Sequence, residues 1–174
     1  MKTKIILIFI VIFFSLHSFG QTFVYGGINY NVLTPTTVEV FQNNSFSGIA
    51  NIPNTVMNGS TNYTVTRIGD SAFQFTNLTS IIIPNSVTSI GDNAFFYCSS
   101  LTTVNIPNSV TSIEDTAFGN CSGLTAITIP NSVISIGNSA FVNCIGLTTI
   151  NIPNSVTSIS DSLFGGCTGL TTVT

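Results

Sequence analysis

The sequence predicts a solenoid, a mainly β chain wound into stacked 23-residue coils with a parallel sheet along one side and short helical turns along another. Three observations predict it. From Leu78 onward the chain repeats every 23 residues, with repeats opening at Leu78, Leu101, Leu124, Leu147 and Leu170, and a fixed period of this length marks a stacked-repeat architecture. Each coil opens on residues whose apolar positions alternate with polar ones, the spacing of a half-buried strand. One Phe recurs per coil, at Phe73, Phe95, Phe118, Phe141 and Phe164, as stacking of like on like requires.

The elements follow in chain order. Lys2 and Lys4 precede the apolar run Ile5 to Leu16, and Ser18 and Gly20 place small side chains before a cut ahead of Gln21. Residues 1–20 therefore read as a secretory signal peptide, too short an apolar run for a bilayer-crossing helix. Residues 21–48 read as a β-hairpin cap, with Gly26-Gly27 and alternating Ile28, Tyr30 and Val32, then Val38 and Val40. Residues 49–77 form a first repeat, split between Ile52-Pro53-Asn54 and Val65-Thr66-Arg67-Ile68-Gly69 by an insertion whose Asn58-Gly59 pair signals a hairpin. Residues 78–169 are four complete coils, and residues 170–174 open a fifth.

Within a coil, Val104 and Ile106 share one face of a strand while Thr103 and Asn105 face outward. Pro107, with no amide hydrogen and a fixed φ, ends that strand. Val110 and Ile113 make a second inward stretch, followed by a turn marked by Gly69, Gly91 and Gly137, with Glu114 and Ser160 in two coils. Asp115, Ala117 and Phe118 then read as one helical turn with Asp as N-cap. The Phe column is the expected hydrophobic spine, each ring contributing about 1.5–3 kcal/mol when buried.

The string L-T-x-[IV]-x-I-P-N-S-V-x-S-I-x-[DN]-x-A-F-x-x-C, held over Ile49 to Thr174 with Leu163 in place of Ala and Ile134 in place of Thr, resembles the BspA-like, or treponemal-type, leucine-rich repeat. The resemblance implies a right-handed, curved solenoid with its parallel sheet on the concave side. It also implies a surface adhesin or interaction module of the kind found in Bacteroidetes-like bacteria.

Composition narrows the chemistry. Only 5% of residues are charged, and Lys2, Lys4 and Arg67 are the only basic ones. No cationic stripe exists to hold a phosphate backbone, so nucleic acid is excluded as a partner. Removal of the leader takes His17 and both lysines with it, leaving no imidazole or amine for nucleophilic or acid–base chemistry. The chain reads as a non-enzyme with no cofactor and no metal.

Cys98, Cys121, Cys144 and Cys167 occupy one position of successive coils, with Thr76 filling it in the first. Their even number in an exported chain raises disulfides. Stacked equivalent positions point their Cβ vectors in parallel, however, so buried free thiols within the core are favoured. Asp70, Asp92, Asp115 and Asp161 form another column, broken by Asn138. It reads as turn capping rather than a calcium ladder, which needs more oxygen ligands per coil. Ser71, Thr116 and Ser162, each between an Asp and an apolar residue, resemble the Asp-Ser/Thr-apolar acceptor for O-glycosylation in Bacteroidetes.

The candidate binding face consists of the outward strand positions Ser80, Ile82, Thr103, Asn105, Ala126, Thr128, Thr149 and Asn151. Small and neutral, it suits a protein or glycan ligand bound weakly per coil and more firmly by the array. The expected function is an extracellular protein-binding or adhesion module, secreted or at the cell surface, with no transmembrane anchor in the mature chain. A structural spacer in a longer protein is the alternative reading, and an ice-binding row of threonines a remote one. The coil begun at Leu170 is expected to lack a cap, pointing to a fragment of a longer array or to an end-to-end contact through that coil.

Overall fold

The computed structural model describes residues 20–174. The leader read at residues 1–20, with its lysines and His17, lies outside the described residues except for Gly20. The chain forms a β-solenoid of about six turns.

Three strands open it: β1 (Thr22–Tyr25), β2 (Ile28–Thr34) and β3 (Thr37–Val40). They form an antiparallel meander in which Tyr30 faces Phe23 and Val40. Ile28, Tyr30, Val32, Val38 and Val40 are all buried, because period-two alternation puts them on the one face that covers the first coil. β4 (Ser47–Asn51) follows, then the hairpin of β5 (Thr55–Asn58) and β6 (Thr61–Ile68). That hairpin pairs Asn58 with Thr61 across Gly59, whose φ of 61° a side chain would resist.

From there two short strands recur per coil. β7 (Asn77–Ile82), β9 (Thr103–Asn105), β11 (Ala126–Thr128), β13 (Thr149–Asn151) and β14 (Thr172–Val173) come from the opening segments. β8 (Ser89–Ile90), β10 (Ser112–Ile113) and β12 (Ser135–Ile136) come from the Ser-Ile pairs. The first sheet runs β1-β2-β3-β6-β8-β10-β12, and the second runs β14-β13-β11-β9-β7-β4. Every pairing between coils is parallel, and Ile81, Val104, Ile127 and Ile150 fall in one line. The cap joins this scheme because β3 pairs in parallel with β6, so an antiparallel meander hands its register to the stack.

The Pro-Asn-Ser-Val segment is a tight turn between the sheets. The Val110 N–H donates to the Pro107 carbonyl at 3.1 Å, and Val87 and Val133 repeat this on Pro84 and Pro130. Proline thus ends the strand for want of a donor and starts the turn with its acceptor. Inside, Leu101, Val104, Ile106, Val110, Ile113, Ala117, Phe118 and Cys121 are all buried. The rings of Phe73, Phe95, Phe118, Phe141 and Phe164 stack in sequence with centroids 5.1–5.9 Å apart.

The short helical turns expected after each Gly or Glu do not form; no helix is present among the described residues. The backbone instead makes consecutive β-turns. Ala94, Phe96 and Cys98 donate to Gly91, Asn93 and Phe95, while Asn93 and Tyr97 take φ of 55° and 60°. A helix needs uniformly negative φ and sends every N–H back along its own axis. Here the intervening N–H groups of Asn93, Phe95 and Tyr97 donate to Asp115, Ala117 and Gly119 of the next coil. The stack claims the donors that a helix would use.

Candidate functional site

The outward face of the second sheet is built by strand alternation. In β9 the middle residue Val104 turns inward and is buried, so Thr103 and Asn105 must face solvent. Register does the rest: Ser80, Thr103, Ala126, Thr149 and Thr172 stand in one row. Ile82, Asn105, Thr128 and Asn151 stand in a second. Of the eight residues expected on this face, seven are exposed and Ser80 is half-buried. Ala126, the smallest of its row, leaves a shallow depression of about 230 Å³ between Thr103 and Asn105 on one side and Thr128 on the other.

Three members of these rows were missed by sequence reasoning, Thr172 in the last strand and two in the first repeat. Ile49 pairs with Ser80 and Asn51 with Ile82, and Ile49 and Ile82 are the large apolar side chains exposed there. The signal was present, since Asn51 stands immediately before Ile52-Pro53 just as Asn105 stands before Ile106-Pro107. The insertion that splits the first repeat hid it.

The thiols stand beneath the turns as a ladder. Cys98, Cys121, Cys144 and Cys167 each donate from Sγ to the carbonyl of Phe73, Phe95, Phe118 and Phe141 in the coil before, at 2.9–3.1 Å. Thr76 makes the corresponding bond to Phe73 within its own coil at 2.7 Å. All four cysteines are free. Burial pushes the Cys144 thiol up to about 12, with neighbouring Cys167 adding to it, and raises Cys121 well above the ordinary range. These are protonated, unreactive groups.

The Asp column is a ladder too, and not a set of helix caps. The Asp70 Oδ1 accepts from the Asp92 N–H at 3.0 Å, Asp92 from Asp115 at 2.9 Å, and Asp115 from Asn138 at 2.6 Å. The carboxylates of Asp70, Asp92 and Asp115 each satisfy a backbone donor one coil along, a charge-assisted bond that serves the stack rather than a helix end.

A six-copy model of the BspA-type leucine-rich-repeat region matches residues 10–102 and 66–174. The chain belongs to the BspA-type leucine-rich-repeat family. Among solved structures, a leucine-rich cell-surface protein of Faecalibacterium prausnitzii is 33% identical with a TM-score of 0.73 over 88% of this chain and 42% of its own. A leucine-rich-repeat protein of Bacteroides ovatus gives 33% and 0.73 over 87% of this chain and 46% of its own. A leucine-rich-repeat protein of T. pallidum gives 27% and 0.77, over 88% of this chain and 71% of its own. This chain thus spans less than half the length of the first two. No curated protein matches it.

Against this BspA-type frame, features that occur once stand out. Arg67, the one basic residue among the described ones, reaches Glu39 at 3.1 Å, Asp70 at 2.6 Å and Glu114 at 2.5 Å. Asn31 also donates to Glu39, at 2.9 Å. The carboxylates of Asp70, Asp92 and Glu114 come within 4.8 Å of one another, but the guanidinium already bonds two of the three. The cluster is an Arg-centred ion network rather than a metal cradle. It ties the cap, through Glu39, to the first and third coils.

In the cap, Asn29, Gln42, Asn43, Asn44 and Phe46 border an open cleft of about 490 Å³. Asn43 is used up holding it: its Oδ1 accepts from the Asn29 N–H and its Nδ2 donates to the Phe41 carbonyl. The candidate acceptors Ser71, Thr116 and Ser162 all adopt a φ of 55°, in the same turn position as Asn93 and Ser139. Ser162 is exposed and the other two are half-buried. No described helix is long and apolar enough to cross a membrane.

Proposed function

We propose that this chain is an extracellular protein-binding or adhesion module, secreted or held at the bacterial cell surface, that engages its ligand through the outward face of the second sheet and performs no catalysis. The observation that carries this reading is the pair of in-register rows. One runs from Ile49 through Thr103 to Thr172, and the other from Asn51 through Asn105 to Asn151.

A parallel stack repeats the same small neutral side chains at each coil, so it offers a ligand a rigid, uncharged, nearly flat strip. Hydroxyl and amide groups supply hydrogen bonds, and Ile49 and Ile82 supply an apolar spot at one end. Contact energy per coil is modest without Trp or Arg anchors, so affinity accumulates with the number of coils engaged. The description of the F. prausnitzii neighbour as a cell-surface protein supports the same location for this chain.

Binding of the purified chain to immobilised extracellular-matrix proteins, compared with a Thr103→Arg, Thr128→Arg variant, tests the reading. Both positions are exposed, so the variant should fold as the parent does while losing at least tenfold in affinity. Binding that survives both arginines moves the site off this sheet. A chain that binds none of the ligands supports the spacer reading instead.

A further inference from the structure

One column of the solenoid departs from its own repeat in a way that the core does not require. At the second left-handed position of each turn the coils carry Phe75, Tyr97, Asn120, Asn143 and Gly166, with φ of 59°, 60°, 59°, 56° and 73°. Asn and Gly are the residues that tolerate this conformation best, and a bulky side chain is an outlier there. The third, fourth and fifth coils use them. The first two coils place aromatic rings there instead.

Those rings are not buried in exchange for the strain. Phe75 is 64% exposed and Tyr97 49%. They stack on one another with centroids 5.5 Å apart and planes 30° apart, and the half-buried Phe96 packs edge-on against both, at 5.7 and 5.0 Å. The later coils have Gly119, Val142 and Gly165 at the place of Phe96, so the three aromatics form a single platform confined to one end of the turn edge.

The platform continues directly into amides. Asn120 and Asn143 follow in the same column, and Asn143 Nδ2 donates to Asn120 Oδ1 at 3.1 Å. No residue of this column, or of the Phe96 column beside it, is ionisable at neutral pH. Residues in strained backbone conformations persist only where the surrounding structure holds them, and they cluster at binding and active sites.

We propose that Phe75, Phe96, Tyr97, Asn120 and Asn143 form a binding site for a neutral glycan, separate from the outward face of the second sheet. Aromatic faces receive the C–H face of a pyranose ring, while amides exchange hydrogen bonds with its hydroxyls. The aromatic pair, with one face of each ring left free by its stack, and the amides lie on successive coils of one edge, so an oligosaccharide running along that edge would meet both. An anionic polysaccharide would find no cation there, since Arg67 is engaged with Glu39, Asp70 and Glu114. A protein hot spot built on aromatics is normally ringed by contacts that exclude water, whereas this row runs into half-buried Asn120 and solvent-exposed Asn143.

The test is affinity electrophoresis of the full chain in gels containing neutral β-glucan, xylan, galactomannan or starch, with hyaluronan as the anionic control. The informative variant is Phe75→Asn with Tyr97→Asn, which installs the residue that the later coils already use. It should melt no lower than the parent, because strain at two positions is relieved, yet lose at least tenfold in affinity for the retarding glycan. A Tyr97→Phe variant keeps the ring and should retain retardation. The proposal is overturned if none of the four neutral glycans retards the parent, if only hyaluronan does, if the double Asn variant is retarded as strongly, or if Tyr97→Phe binds no better than it. Because the Thr103→Arg, Thr128→Arg variant leaves this edge untouched, it should bind glycan normally even if the sheet-face reading fails.

Discussion

Phe118→Ala removes the middle ring of the stack, and its cost can be worked from the geometry. Phe118 is fully buried and lies 5.1 Å from Phe95 and 5.4 Å from Phe141, nearly parallel to both. Deleting a buried Phe costs about 3–5 kcal/mol through lost transfer energy and the cavity that remains. With ring partners on both sides, each pair worth about 0.5–1.5 kcal/mol beyond area, the loss should sit near the upper half of that range.

Phe164 is the internal control, because it is only half-buried and has one ring partner, Phe141, at 5.9 Å. Its truncation should cost about 1–2 kcal/mol, a reduced share of the burial term. Urea unfolding followed by far-ultraviolet circular dichroism measures both, with the midpoint falling much further for Phe118→Ala. Because the core contacts of the Phe column pass between neighbouring coils, the same variant should broaden the transition as the two halves of the stack uncouple. A loss under about 1.5 kcal/mol at Phe118, or a larger loss at Phe164, would refute the Phe column as the spine.

Three other outcomes follow from named contacts. Gly146→Ala would bring a Cβ to 2.6 Å from the Ser122 carbonyl oxygen in the coil below, so the coils must separate locally; thermal melting should show a loss of about 1–3 kcal/mol. Arg67→Gln strands Glu39, Asp70 and Glu114 without their cation; the drop in melting temperature should shrink only in part at high salt, which screens exposed Asp70 and half-buried Glu114 but not buried Glu39. Burial holds the folded Cys144 thiol at about 12, whereas an unfolded thiol titrates near about 8.5. The folded state therefore keeps protons that the unfolded state sheds, so this contribution is intact below about 8.5 and is lost as pH rises toward 12. At pH 8, Cys98, Cys121 and Cys144 should resist alkylation in the native protein, half-buried Cys167 should react first, and all four should react in denaturant.

The parts of the fold that depend on side-chain periodicity were legible, and the parts that depend on neighbouring coils were not. Val104 and Ile106 alternating with Thr103 and Asn105 specify a half-buried strand wherever they occur, and Pro107 ends it by its own covalent structure. The turn from Asp115 to Cys121 is different. Its local signals, Asp before Ala-Phe, favour a helical turn, yet the N–H groups of Thr116, Phe118 and Asn120 bond to the next coil. No single coil contains the information that overrides the local preference.

The role of Asp was misread for the same reason, since its partner is 23 residues away, as between Asp92 and Asp115. At the candidate sites the generic rows could be read from the repeat. The Phe75, Phe96 and Tyr97 platform could be found only by asking where the sequence breaks its pattern. Phe96-Tyr97 against Gly119-Asn120 and Val142-Asn143 was that break, and its meaning required the positive φ that the structure shows.

The central claim is that the outward rows of the second sheet are what the solenoid presents to a partner. Surface interferometry of the purified chain against collagen, laminin and fibronectin, run in parallel with the Thr103→Arg, Thr128→Arg variant, measures it most directly. The account predicts binding by the parent and at least a tenfold loss in the variant at unchanged melting temperature. Equal binding by both chains, or no binding by the parent, would contradict it.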